Sequence, residues 1–295
     1  FIEAERMANC LYDPADCESE RTVIISELQG SENDPDTLVE QEVIAAAYKA
    51  HPYRHPTIGW LSDLRTMSRD DLYQYYRRNY IPTNATVAVV GDVETDDVLR
   101  RIEKQFGSIP SGSAPRRVSV VEPEQLGERR VEVSREGTTA YLKLAYHAPA
   151  VGDPDFFPML VLDAILTGAK GINLWSSFRT PPPQRSARLY RALVERRLAS
   201  SVGAGLLPTE HPFLYLVSAT AMEGARLQDV EAAPTEALNE VAIHGITERE
   251  LTKAKNQLRA RLVFENDSVT NIGHQLGYFE TVASLDLYRD APGRI

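Results

Sequence analysis

The sequence predicts an α+β fold made of two domains of related design. Three observations predict it. Helix start and stop signals recur along the chain, apolar runs of strand length lie between them, and the element order of the first half is partly repeated in the second. A length of 295 residues suits about two domains. The first half reads helix, helix, strand, helix. The second opens on strands, turns helical, and stops at Ile295 where a further strand is expected. The expected organisation is therefore the back part of one domain (1–112), a linker (113–128), and the front part of a second (129–295), truncated on opposite sides.

The elements follow in order. Asp13-Pro14 is a helix start, with Asp as N-cap and Pro at the first helical position, and Gly30 ends the run. Asp34-Pro35 repeats the signal for a helix to about Ala50. The prolines of His51-Pro52-Tyr53-Arg54-His55-Pro56 force a loop. Ser68 with Asp71 makes a capping box ahead of Leu72, and the tyrosines 73, 75, 76 and 80 are expected to pack. Ala85 to Asp92 reads as a buried strand and its turn, and a helix spans Thr95 to Phe106. The Gly-, Ser- and Pro-rich stretch from Gly107 to Gly127 is the best interdomain connection. Beyond it come a strand at Tyr141–Tyr146, a helix at Phe156–Leu166, and a loop from Gly168 to Pro183. A helix over Ser186–Arg197 and strands at Ser201–Leu206 and Phe213–Thr220 follow. Helices then run from Ala225 to about Ser284, broken near Gly245 and Asn266, with Pro234 expected to kink or delay the first.

Composition excludes several classes. A net charge of −10 and the absence of a basic stripe argue against a nucleic-acid binder. The densest basic stretch, Arg185, Arg188, Arg191, Arg196 and Arg197, reads as a solvated helix face. No apolar run reaches the roughly 20 residues that span a bilayer. Cys10 and Cys17 are too few for a disulfide scaffold, and either a local disulfide or two thiols fits them. There is no phosphate-loop signature and no nucleophile elbow. Gly203-Ala204-Gly205 is a weak motif, and Gly168-Ala169-Lys170-Gly171 reads as a loop break. His51 and His55 have the spacing of a helical metal pair on a segment that cannot be helical, and His147, His211, His244 and His274 are scattered.

The informative segment is Glu20 to Gln29. On a helix, residues seven apart lie almost above one another. Glu20 and Glu27 are so placed, flanked by Val23 and Ile24, which puts two carboxylates inside an apolar arc. Buried carboxylates need a cation, hydrogen bonds or a metal, so something cationic is expected to face this helix. A structural pair with Arg or Lys satisfies that requirement as well as a metal does.

Glu-Arg-x-Val-x-x-x-Glu followed by an Asp-Pro helix start resembles the region after the inverted zinc motif His-x-x-Glu-His of the pitrilysin/insulinase family of zinc metallopeptidases, M16, and its M16B-like zinc-bearing protomers. Further stretches resemble it in order: His51-Pro52-Tyr53, Tyr80-Ile81-Pro82-Thr83-Asn84, Val90-Gly91-Asp92, Phe106-Gly107-Ser108-Ile109-Pro110, Tyr146-His147-Ala148-Pro149 and Ala187-Arg188-Leu189-Tyr190. The resemblance implies tandem metallohydrolase-like α/β sandwich domains. It implies Glu27 as the third zinc ligand, Glu20 as a carboxylate supporting the site from behind, and one Zn2+ per intact protomer. The zinc would hold and activate the water that cleaves a peptide.

His-x-x-Glu-His occurs nowhere in the chain, so the histidine ligands and the general base are expected upstream, and the chain alone should be inactive. Family members also carry an Arg and a Tyr seven residues apart that hold substrate; the matching positions here are Leu193 and Ser200. The resemblance therefore implies a second M16 subunit, or a second half, that supplies this pair in a heterodimer. A zinc endopeptidase protomer is the leading expectation, and a non-catalytic scaffold or substrate-binding subunit is the alternative. The compartment stays open, with the bacterial periplasm or cell envelope favoured over the cytoplasm.

Overall fold

Side-chain caps open helices at Asp13, Asp34 and Ser68, where the sequence places them. The computed structural model describes residues 1–172 and 184–295, which form two units. The first unit comprises Phe1–Thr37 and Tyr48–Leu126, the second Leu38–Ala47 and Gly127–Ile295.

The first unit is helical. It contains α1 (Ile2–Ala8), α2 (Pro14–Ser31), the first turn of α3 (Pro35–Ala47), α4 (Leu61–Thr66), α5 (Arg69–Asn79) and α6 (Thr95–Phe106), with single 3-10 turns at Pro52–Arg54 and Pro82–Asn84. Asp13 Oδ1 accepts from the Ala15 N–H at 2.8 Å and Asp34 Oδ1 from the Asp36 N–H at 3.1 Å, each beside a proline in the first turn. At α5, Ser68 accepts from the Asp71 N–H while the Asp71 carboxylate accepts from the Ser68 N–H at 2.8 Å, a complete capping box. His51 is a cap rather than a ligand: its Nδ1 accepts from the Tyr53 N–H at 3.2 Å. Glu122 accepts from three successive backbone N–H groups, Lys49, Ala50 and His51, at 2.6, 2.9 and 2.9 Å.

Two expectations for this unit are corrected. Ala85–Gly91 is not a buried strand: among the described residues it pairs with no neighbour, and Val87 and Val89 stand about half exposed. An apolar run fixes an extended backbone, but a strand exists only where another chain segment accepts its hydrogen bonds. Of the tyrosines expected to pack, Tyr76 is buried and Tyr73 half-buried, whereas Tyr75 and Tyr80 are exposed. Tyr76 sits in a ring cluster with Tyr12, Tyr73 and Tyr80 at centroid separations of 5.2, 6.0 and 5.4 Å.

The second unit is α+β. Strands β1 (Tyr141–Ala148), β2 (Ala199–Leu206) and β3 (Phe213–Ala221) form an antiparallel sheet in the order β1-β3-β2. Tyr215, Val217, Ala219 and Ala221 alternate along β3 and so share one face. That face carries the core. Its apolar neighbours come from α7 (Phe156–Leu166), α8 (Leu227–His244), α9 (Glu248–Glu265), α10 (Val269–Val282) and α11 (Leu285–Arg294), including Leu160, Leu258, Phe279 and Leu287. The opposite face holds Lys143, whose buried Nζ reaches Glu40 of α3 at 2.9 Å. Arg129 donates to the carbonyls of Ala46 and Ala47 at 2.6 and 2.7 Å, satisfying the orphan acceptors that end α3.

The helix expected over Ser186–Arg197 is shorter. It is a π-helical turn at Tyr190–Val194, from which Leu193 enters the core. α8 begins at Leu227 and runs through Pro234, which is buried, so this proline does not delay the helix. Of the loop from Gly168 to Pro183, the part carrying Pro181-Pro182-Pro183 lies outside the described residues.

Candidate metal centre on the second helix

Both acidic residues singled out by the sequence stand on α2. Asp13 fixes where this helix starts, and continuous helix to Ser31 fixes the stacking of Glu20 and Glu27 two turns apart. Their surroundings differ from the expected apolar arc. Glu20 and Glu27 are both exposed, Val23 is 55% exposed, and Leu28 is the buried residue of the helix. The reason lies beside the helix. Cys17, Glu20, Arg21 and Ile24 line an open cavity of about 640 Å3, closed on its far side by Leu64, Met67 and Leu72. The Glu20 end of the arc therefore borders open space rather than packed protein, and Glu27, further along the helix, faces solvent outside that cavity.

Among the described residues no cation is paired with either carboxylate. Arg21 is directed elsewhere: its guanidinium meets Glu18 at 3.1 Å and donates to the Leu64 carbonyl. Among the described residues neither Glu20 nor Glu27 takes part in an ion pair or hydrogen bond, so Glu27 is free to accept a ligand. A zinc site needs three or four protein donors or a water completing three. Among the described residues no three His, Cys, Asp or Glu side chains converge to hold a metal. One solvent-facing carboxylate does not make up a zinc site, and the described residues alone do not fit the ion.

The other sequence candidates are accounted for structurally. His51 is buried in its turn against the rings of Tyr48 and Tyr53, and His55 Nδ1 accepts from the Trp60 indole at 3.2 Å, so they do not form a chelate. Tyr48 is pushed well above the ordinary phenol range by burial, then by Tyr53 and Glu122. Leu193 is fully buried, and the Ser200 hydroxyl donates to the Thr220 carbonyl at 3.3 Å on β2, so neither position offers a substrate-holding Arg or Tyr. Cys10 and Cys17 are unbonded thiols beside the same cavity.

The sequence reading missed two polar centres in the second unit. Asp163 on α7 is buried and accepts from the Tyr215 hydroxyl at 2.9 Å, the Thr167 hydroxyl at 2.8 Å and the Lys170 ammonium at 2.7 Å. Arg188 departs from the solvated face expected for its basic stretch: it is largely buried and donates to Glu250 through two 2.8 Å bonds. A lone Asp in an apolar helix, Asp163 in Phe156–Leu166, is the sequence signal that could have found the first.

Comparison with known proteins gives the chain a family. The model of the peptidase M16 inactive domain matches residues 66–258. A probable mitochondrial-processing peptidase subunit beta of Schizosaccharomyces pombe is 26% identical over 282 residues, spanning 94% of this chain and 59% of that protein. An uncharacterized zinc protease of Mycobacterium bovis is 29% identical over 275 residues, spanning 90% of this chain and 58% of that protein. The chain thus spans less than two thirds of the length of these relatives. Its fold resembles that of a protease from Helicobacter pylori, with a TM-score of 0.88 at 22% identity over 99% of this chain and 68% of that one. It also resembles a peptidase M16 inactive domain from Pseudomonas fluorescens, with a TM-score of 0.81 at 19% identity over 99% and 66%. The family resemblance carried by the ordered motifs is borne out: the family model covers well over half of the chain, which belongs to the peptidase M16 family.

Proposed function

We propose that this chain is part of a zinc-dependent endopeptidase protomer, to which it contributes Glu27 as one metal ligand and Glu20 as a carboxylate behind it. The observation that carries the reading is Glu27 itself: an exposed carboxylate on a well-capped helix, paired with no cation among the described residues, in a chain of the M16 family. Residues outside this chain would supply the remaining ligands, since the described residues assemble no donor set. Peptides are the proposed substrates. Strands β1 and β2 are the edges of the described sheet, and an edge strand can take an extended peptide as an added strand. The positions of Leu193 and Ser200 offer no substrate-holding pair, which supports a partner subunit or second half that does.

A second reading is favoured by one finding: the matching family model describes an inactive domain. On that reading the protein is a scaffold or substrate-binding subunit of a peptidase complex.

Elemental analysis of the intact gene product, wild type beside Glu27→Gln, separates the two. The endopeptidase reading expects about one zinc per protomer, as one structural or catalytic site requires. It expects that zinc to be lost with the substitution, together with peptide hydrolysis assayed with and without the partner. A wild-type protein without metal leaves the scaffold reading standing.

A further inference from the structure

The second unit holds a cavity of about 730 Å3 whose charge runs against that of the chain. Its lining includes Arg188, Arg191, Arg249 and Lys253 against the carboxylates Glu240 and Glu250, a local excess of two positive charges on a chain of net −10. The cations come from two elements. Arg188 and Arg191 lie three residues apart on the helical segment ending at Val194, and therefore on one side of it. Arg249 and Lys253 are four apart at the start of α9.

These groups are not equivalent. Arg188 is spent on Glu250, and Glu250 also closes the capping box of α9 by accepting from the Thr247 N–H at 2.9 Å. This pair forms a fixed, neutralised wall. Lys253 donates to the Ser186 hydroxyl, which does not neutralise it. Arg191 and Arg249 are exposed and, among the described residues, have no hydrogen-bond or ion-pair partner for their guanidinium groups. Glu240 is the lining carboxylate that remains; among the described residues it has no hydrogen-bond or ion-pair partner, and its charge acts on Arg188.

We propose that this cavity binds an acidic segment of a peptide, with Arg191, Arg249 and Lys253 meeting successive carboxylates. The choice of a peptide rests on the peptidase reading above. The choice of several carboxylates rather than one compact anion rests on the size of the cavity and on the separation of the free cations between two elements. The volume falls in the range of about 300–1,000 Å3 typical of ligand sites. Glu240 would oppose such a ligand and tune its affinity downward.

The test is fluorescence anisotropy with a labelled hexaglutamate peptide on the intact gene product, beside a length-matched Gly/Ser peptide and inorganic phosphate as competitor. The hexaglutamate peptide should bind with an affinity that falls as salt rises. The double variant Arg191→Gln/Arg249→Gln should weaken it on the order of tenfold, and Arg191→Glu/Arg249→Glu further, by loss and reversal of rim charge. Glu240→Gln should tighten it by about twofold or more. Arg226→Glu, a charge change at an exposed residue outside the cavity lining, should leave it unchanged. Equal binding of the neutral peptide, insensitivity to the Gln pair in a protein with wild-type circular dichroism, or displacement by phosphate at equal concentration would overturn the proposal. Glu27→Gln keeps acidic-peptide binding while removing zinc, so failure of the metal reading and failure of this one are distinguishable.

Discussion

At Asp163 a single carboxylate answers three donors from three places: a strand tyrosine, a helix-end threonine and a loop lysine. Removing one member of a buried ion pair leaves the other charge unpaired, which costs more than the pair contributes. Asp163→Ala is therefore expected to destabilise the second unit by roughly 3–5 kcal/mol, read as a shift of the urea midpoint. Tyr215 is held well above the ordinary phenol range by burial first and then by Asp163, so the native state keeps its proton. Glu250 behaves in the opposite sense. Its hydrogen bonds to Arg188 outweigh burial, and with the bonds from Thr247 they lower it from 4.5 to about 2. A carboxylate whose native value is depressed contributes stability that is present above pH 4.5 and lost as pH falls toward 2. Wild type minus Glu250→Gln, measured as unfolding free energy against pH, should shrink across that window; a constant difference would mean the pair does not titrate with folding.

At the scale of elements, what was legible in the sequence is what is encoded locally. Asp13-Pro14, Asp34-Pro35 and Ser68 with Asp71 begin helices because the cap residue satisfies amides two or three positions on. The bounds of α6 and α7 were legible too, from apolar periodicity rather than from capping, since no side chain caps the start of either. What was not legible depends on partners distant in sequence. Ala85–Gly91 has the composition of a strand and lacks a neighbour to pair with among the described residues. The Glu122 clamp joins residues more than 70 positions apart, and no spacing rule announces it. The candidate site divides the same way. The stacking of Glu20 over Glu27 was readable from the helix period, whereas their exposure was not, since it depends on what packs beside the helix; at Glu20 that is the cavity walled by Leu64, Met67 and Leu72. Asp13→Ala tests the local part. It should cost about 1 kcal/mol in the first unit through the lost N-cap. If Glu27 holds zinc as proposed, metal binding by the intact protein should persist in this variant, because Glu27 lies well inside the helix and fraying is confined to its first turn.

Across the whole molecule, apolar burial is distributed unevenly, and stability should follow it. The second unit has a continuous core that joins one face of the sheet to α7, α9, α10 and α11. In the first unit the buried apolar residues are Ala4, Leu28, Tyr48 and Tyr76. Burial of apolar area is the main favourable term in folding, so the first unit should open at lower free energy than the second. Native-state amide exchange on this chain is expected to show the amides of α2 and α5 exchanging ahead of those of β3 and α7. Leu160→Ala should destabilise the second unit by roughly 2–5 kcal/mol, as loss of a fully packed leucine does. Leu28→Ala should give a smaller loss, since α2 packs on one side and borders a cavity on the other. The same argument ties exchange to the metal. A ligand that binds only the folded state stabilises it by mass action. In the intact protein, zinc held in part by Glu27 should slow exchange in α2 and leave β3 unchanged, and Glu27→Gln should abolish that protection. Equal protection of α2 with and without zinc would show that the ion, if bound, is held without this helix.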